Sequence, residues 1–185
     1  MRIMELIEVI KGRRSIRSYW SEPVPMDLVR EVLAAGTWAP SAKNGQQWRF
    51  TVLTGEPKRE LTDRLREELN AFIERHGKEA SSSSMWSCGV MEEAPVLVMV
   101  WNTAEMGWET EVHSVAAAIQ NMLLRAHDLG LGSLWIGDIY YTLDALVEHL
   151  GKPWRLMAAL TFGNSAEEGR VPPKMSVGEV AEFLG

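Results

Sequence analysis

A single cysteine, Cys88, stands in 185 residues. That excludes a disulfide framework and an all-cysteine metal site within one chain. The four histidines, at positions 76, 113, 127 and 149, show no ligand spacing with it, so no metal is expected. Nothing basic adjoins Cys88, which reads as an inert thiol. Long apolar runs are missing too. Ala94 to Trp101 is the longest, far short of the roughly 20 residues a bilayer helix needs. The opening Met1-Arg2-Ile3-Met4-Glu5 has an early acid and no apolar stretch, so no secretory leader is expected and a cytoplasmic location is the default. Net positive charge is also absent. Nineteen Lys and Arg against 25 Asp and Glu leave −6, which argues against nucleic acid as a partner. No P-loop or G-x-S-x-G elbow occurs. Gly130-Leu131-Gly132 follows a helical pattern and precedes a strand-like one, with Trp135 where a third glycine would stand. A dinucleotide fingerprint needs the opposite order.

What is present is ordinary globular composition, 46% hydrophobic and 24% charged, long enough for one domain over residues 1–185. Eight tryptophans and ten methionines point to an aromatic and thioether core, ahead of flat surfaces for a planar ligand. Against the acidic background, Lys11, Arg13, Arg14 and Arg17 put four cations into seven residues. A local charge of that sign suits one compact anion, and arginine forks beside a serine hydroxyl suit a phosphate.

The periodicities sketch a mixed chain. Ile3, Leu6, Ile7 and Ile10 give a short helix ending near Gly12. A second helix carries Leu28 to Ala35, capped by Asp27 or the residue before it. Ala39 to Gln47 is a polar loop, and Trp48 to Leu53 is a strand. A charged helix runs from Glu56-Pro57 to about Arg75. Ser81 to Ser84 reads as a loop. Ala94 to Trp101 is a fully buried strand, Glu111 to Leu129 a long helix, and Ser133 to Ile136 a short strand stopping at Gly137-Asp138. Leu143 to Leu150 is a helix and Arg155 to Phe162 a strand. A tail with Arg170, two prolines and Lys174 precedes a last helix from Val177. The sum is an α+β (α/β) domain around a central sheet.

Three polar segments interrupt the apolar elements without structural need: Arg13 to Arg17, Ser41 to Gln46, and Ile136 to Asp138. Lys174 adds a fourth. The order R-R-S-I-R-S-Y, A-P-S-A-K-N-G-Q-Q-W-R-F, A-P-V-L-V-M-V, L-G-L-G-S-L-W-I-G and a basic tail resembles the nitroreductase family of FMN-dependent oxidoreductases over nearly the whole chain.

The resemblance implies a mixed or antiparallel sheet flanked by helices, with FMN at a homodimer interface. It implies Arg13 and Ser15 at the phosphate and ribityl chain, with Arg14 adjacent. Arg17 would approach the N1/O2 edge of the flavin, where a cation stabilises the reduced ring. Ser41, Asn44 and Gln46, with Pro40 and Ala42, would come from the partner subunit. Ile136, Gly137 and Asp138 would pack on one flavin face with a backbone N–H toward N5, and Lys174, helped by Arg170, would reach the phosphate. The chain departs from the family at Gln47, where proline is usual, at Gly137-Asp138, and at Trp86 to Gly89, where some members carry Asn and Lys.

The implied activity is hydride transfer from NAD(P)H to FMN and on to an electron-poor acceptor, a nitroaromatic or quinone, by a ping-pong mechanism. No side-chain nucleophile is required. Two other readings stand beside it: another flavin chemistry on the same fold, such as flavin fragmentation, dehalogenation or dehydrogenation of a precursor, and a non-enzymatic anion-binding module. Taken singly, the arginines could complement a helix dipole, Ser41 to Gln46 could be an ordinary loop, and Gly137 a plain strand-end turn.

Overall fold

The computed structural model describes residues 5–77, 82–138 and 143–185. Along the chain these residues form α1 (Leu6–Gly12), α2 (Met26–Thr37), β1 (Trp48–Leu53), α3 (Gly55–His76), α4 (Ser82–Glu93), β2 (Val96–Asn102), α5 (Glu109–Asp128), β3 (Gly132–Ile136), α6 (Leu143–Leu150), β4 (Arg155–Gly163) and α7 (Val177–Val180). The four strands pair in the order β1-β2-β4-β3, and every pairing is antiparallel.

The central strand β2 explains the layering. All seven of its residues are buried, because side chains alternate between two covered faces. Leu97, Met99 and Trp101 join Leu61, Leu65 and Leu69 of α3, Met91 of α4 and Leu146 of α6. Val96, Val98 and Val100 face Val29 and Val32 of α2 and Val115, Ile119 and Met122 of α5. The run that reads as a doubly buried strand is one, but its neighbours run antiparallel. Trp101 is fully buried, and its indole Nε1 donates to Thr51 Oγ1 at 3.0 Å, which satisfies the one polar atom such a core residue carries.

Two local expectations change. Ser81 lies outside the described residues, whereas Ser82 to Ser84 open α4 instead of forming a loop. The cause lies further along the same helix. Cys88 and Met91 are buried in the core shared with α3, and that packing carries the helix back through the serines. Asp27 does not cap α2. The cap is Pro25, whose carbonyl accepts from Leu28 and Val29, and Asp27 sits in the first turn, where its charge favours the dipole. The last helix begins at Val177, as expected, and is four residues long. Among the described residues no helix is long and apolar enough to cross a membrane.

Two contacts place the stretch after α1. Gly12 lies against α5: a Cβ there would fall 2.5 Å from His127 Nε2, so a larger residue would have to displace that imidazole. Beyond it, Ile16 N donates to Ser133 O at 2.9 Å, laying residues 15 and 16 beside β3. Tyr19 then fixes the segment to β4. Its buried hydroxyl donates to Ile16 O at 2.8 Å and lies 2.8 Å from Thr161 Oγ1, and burial pushes its pKa well up.

Candidate functional site

The stretch from Ile10 to Arg17 lines one wall of a cavity of about 440 Å³, and the tail residues Arg170, Val171, Pro172 and Lys174 line the other. That volume suits a small organic ligand. Arg13, Arg14, Ser15, Arg17, Arg170 and Lys174 therefore meet, although about 150 residues separate the two walls in sequence.

Among the described residues none of these five cations makes an ion pair. Arg14 instead turns back on α1, donating to Lys11 O at 2.6 Å and Arg13 O at 2.8 Å. It satisfies helix-end carbonyls, so the helix-end role that the sequence leaves open is realised by this one arginine. Burial, and then the Arg14 charge, push the Arg13 guanidinium below its ordinary value. Burial, Arg14 and Arg13 push His127 down in the same way. In both groups burial is the larger cause and the neighbouring arginine charge the smaller one, and an anion bound nearby would offset the second.

Arg17 is fixed at two ends. Its backbone N–H, with that of Ser18, donates to the Glu167 carboxylate, and its Nη1 donates to Ser15 O at 3.0 Å. The guanidinium carbon stands 5.4 Å from the centroid of the Trp86 ring. Sequence reasoning missed both partners. Glu167 carries no local signal. Trp86 lies in the stretch that departs from the family pattern.

At the end of β3, Ile136 is buried, and among the described residues nothing lies within 4 Å of a Cβ built at Gly137. Asp138 Oδ1 accepts from Ser84 Oγ of α4 at 2.9 Å, while its buried Oδ2 has no partner among the described residues.

The loop Pro40 to Gln46 lies elsewhere. Pro40, Ser41 and Ala42 line a hollow against Thr110, His113, Ser114 and Ala117 of α5, which shares no residue with the cation cavity. Ala42 N donates to Ser114 Oγ at 3.0 Å, Gln46 N to Ser41 Oγ at 3.1 Å, and Gln46 Nε2 to Asn44 Oδ1 at 3.3 Å. Lys43, Asn44 and Gln46 have φ of 53°, 53° and 43°. Three non-glycine residues in the left-handed region within four positions are a strained arrangement of the kind that collects at ligand-binding loops.

The family model "Nitroreductase family" matches residues 10–164. The chain belongs to the nitroreductase family. A "Putative NADH dehydrogenase/NAD(P)H nitroreductase" of Methanothermobacter thermautotrophicus is 34% identical over 149 residues, covering 78% of this chain and 66% of that protein. A protein of the same name from Archaeoglobus fulgidus is 31% identical over 152 residues, covering 80% and 78%. A crystal structure from Desulfovibrio desulfuricans, described as a "putative nitroreductase in complex with fmn", superposes with a TM-score of 0.79 at 29% identity, covering 98% of both chains. The match spans just under two thirds of the first relative's length. In this family member, every site residue named from the motifs falls in the cation cavity, in the strained loop or at the end of β3.

Proposed function

We propose that the chain is an FMN-dependent oxidoreductase that takes reducing equivalents from NADH or NADPH and delivers them to an electron-poor acceptor such as a nitroaromatic or quinone, in two successive half-reactions at one site. The observation that carries this reading is the cavity in which Arg13, Ser15, Arg17, Arg170 and Lys174 converge, with no ion pair to their side chains among the described residues. The residues fit FMN. Clustered cations suit a phosphate dianion, Arg17 stands beyond them as a further cation, and the free space at Gly137 leaves room for a flat ring. A structural neighbour of 29% identity binds FMN.

When bound, the flavin carries the hydride chemistry. The chain's own residues do the rest. Arg13 and Lys174, aided by Arg170, hold the phosphate, and Ser15 adds a hydroxyl. Arg14 keeps the end of α1 in register beside them. Arg17 supplies positive charge toward the edge of the ring that becomes negative on reduction, and Gly137 gives that ring a backbone surface and an N–H.

We further propose a homodimer. The loop at Ser41, Asn44 and Gln46 shares no residue with the cation cavity, so a site built from both takes them from two chains. Exposed apolar residues on α1 and the tail, among them Leu6, Ile7, Val177 and Phe183, suit burial against a second copy. The single buried thiol accords with a reducing, cytoplasmic setting.

The test is the visible spectrum of the purified protein before and after NADH or NADPH. A yellow protein that bleaches and regains colour with a quinone supports the reading. A colourless protein that takes up no added FMN refutes it. Fragmentation of the flavin with oxygen as sole acceptor would instead assign a different flavin reaction.

A further inference from the structure

We propose that Trp86 is a positioning residue for the ring end of this site: its indole face holds the Arg17 guanidinium, so that the influence of Arg17 on a reduced flavin depends on Trp86. This rests on the proposed role of Arg17 at the flavin edge. The observations are independent of it. Trp86 lies on the first turns of α4 with 52% of its surface exposed, so core packing does not account for it. The Arg17 guanidinium carbon stands 5.4 Å from its ring centroid, within the range where a cation is attracted to an aromatic face.

The other restraints on Arg17 come from its own backbone and from Glu167. Ser15 O accepts from Nη1, and the Glu167 carboxylate grips the main-chain N–H groups of Arg17 and Ser18 rather than the guanidinium. Trp86 therefore acts on the charged head from outside the segment. The chemistry of the contact matters. A carboxylate in that place would pair with the guanidinium and compete with an anionic ligand. An indole face fixes the head while cancelling none of its charge, and it leaves the remaining N–H donors free. The neighbouring residue of the same turn does the matching task for the other side of the site: Ser84 Oγ donates to Asp138 Oδ1 at 2.9 Å. One helical turn thus fastens both the Arg17 segment and the end of β3, which lie about 120 residues apart.

The experiment measures dissociation constants for oxidised and for dithionite-reduced FMN in the parent, Arg17→Gln, Trp86→Leu and the double variant. The quantity read is the quotient Kd(oxidised)/Kd(reduced), which reports the preference for the reduced ring without any turnover. Arg17→Gln lowers it. Trp86→Leu lowers it about twofold to fivefold, the scale of an exposed cation–aromatic contact, and adds nothing in the Arg17→Gln background. Trp86→Tyr and Trp86→Phe keep a ring and serve if the leucine variant does not fold, the quotient then falling in the order Trp, Tyr, Phe. An unchanged quotient in every Trp86 variant overturns the proposal. So does an equal fall with and without Arg17, which would mean that the indole acts on the ring directly. If Arg17→Gln alone changes nothing, the reading of Arg17 fails and this inference with it. A parent that binds no FMN refutes the function itself.

Discussion

Adding one methyl group at Gly137 separates folding from cofactor binding. Among the described residues a Cβ at Gly137 meets nothing within 4 Å, and its backbone is outside the left-handed region, so alanine fits these surroundings without strain. Alanine also restricts the unfolded chain, which stabilises by about 0.4–1 kcal/mol where the native conformation allows it. For a chain of this size that corresponds to a rise in Tm of about 1–4 °C. If the flavin ring lies on this backbone, the same methyl intrudes on it. Overpacking of that kind costs about 1–3 kcal/mol, or roughly a 5- to 150-fold loss of FMN affinity. The two effects have opposite signs, so loss of the fold cannot mimic loss of the site. Apoprotein of Gly137→Ala and parent would be melted side by side, and FMN titrated into each by quenching of flavin fluorescence. Unchanged FMN affinity would refute the placement of the ring against Gly137. A fall of several degrees in the apoprotein Tm would refute the claim that the space is open.

Three other perturbations have defined outcomes. Lys58 Nζ donates to the carbonyls of Glu92, Ala94 and Met91 at 2.6, 2.7 and 3.3 Å, closing the end of α4; Lys58→Met should cost about 1.5–3 kcal/mol, a drop in Tm of about 3–12 °C by differential scanning fluorimetry, and a drop below about 1 °C would show that the ammonium is dispensable. The Arg66 side chain, bonded to Glu92 through both carboxylate oxygens, holds the Glu92 carboxyl below its ordinary value of 4.5. That stability is fully present above the unfolded pKa and is lost as pH falls through the lower folded one, so urea midpoints of the parent should decline below pH 4.5 more steeply than those of Arg66→Met, and parallel profiles would contradict the pairing. Arg13→Ala or Lys174→Ala should weaken FMN roughly 10- to 150-fold, the worth of a charge-assisted hydrogen bond, and leave riboflavin binding unaltered; equal losses for the two flavins would remove the phosphate from this cavity.

The parts of the fold that depend on local pattern were legible. Trp48–Leu53 is β1 residue for residue, and α5 and β4 differ from their expected bounds by one or two positions. Strand direction was legible only through the family resemblance, because an apolar run such as Val96–Asn102 by itself records only that both faces are covered. What decides the pairing is the path of the connections, which composition does not encode. Ser82 to Ser84 were misread for a related reason: serine is a poor helix former by itself, and the packing of Cys88 and Met91 overrides that preference. At the site, Arg13, Ser15 and Lys174 stood out as charge or motif, while Glu167 and Trp86 did not. Each of those two acts on a residue distant in sequence, by about 150 positions for Glu167 and about 70 for Trp86, and neither carries a spacing that a linear reading could detect.

In the strained loop, residue type and backbone conformation part company. Ser41, Asn44 and Gln46 look like a polar connection, and positive φ would be looked for at Gly45. Gly45 instead has ordinary αR geometry, and the left-handed values fall on Lys43, Asn44 and Gln46. Strain of this kind persists only where surrounding contacts over-determine it. Here those contacts are Ala42 to Ser114 and Gln46 to Ser41, which anchor the loop to α5 and to itself and leave Asn44 and Gln46 exposed. A loop fixed so firmly while presenting its amides outward is shaped for something beyond its own chain. In the proposed homodimer, the surface it would meet is the cation cavity between Arg13 and Lys174 of the second copy, whose lining among the described residues includes no Asn or Gln.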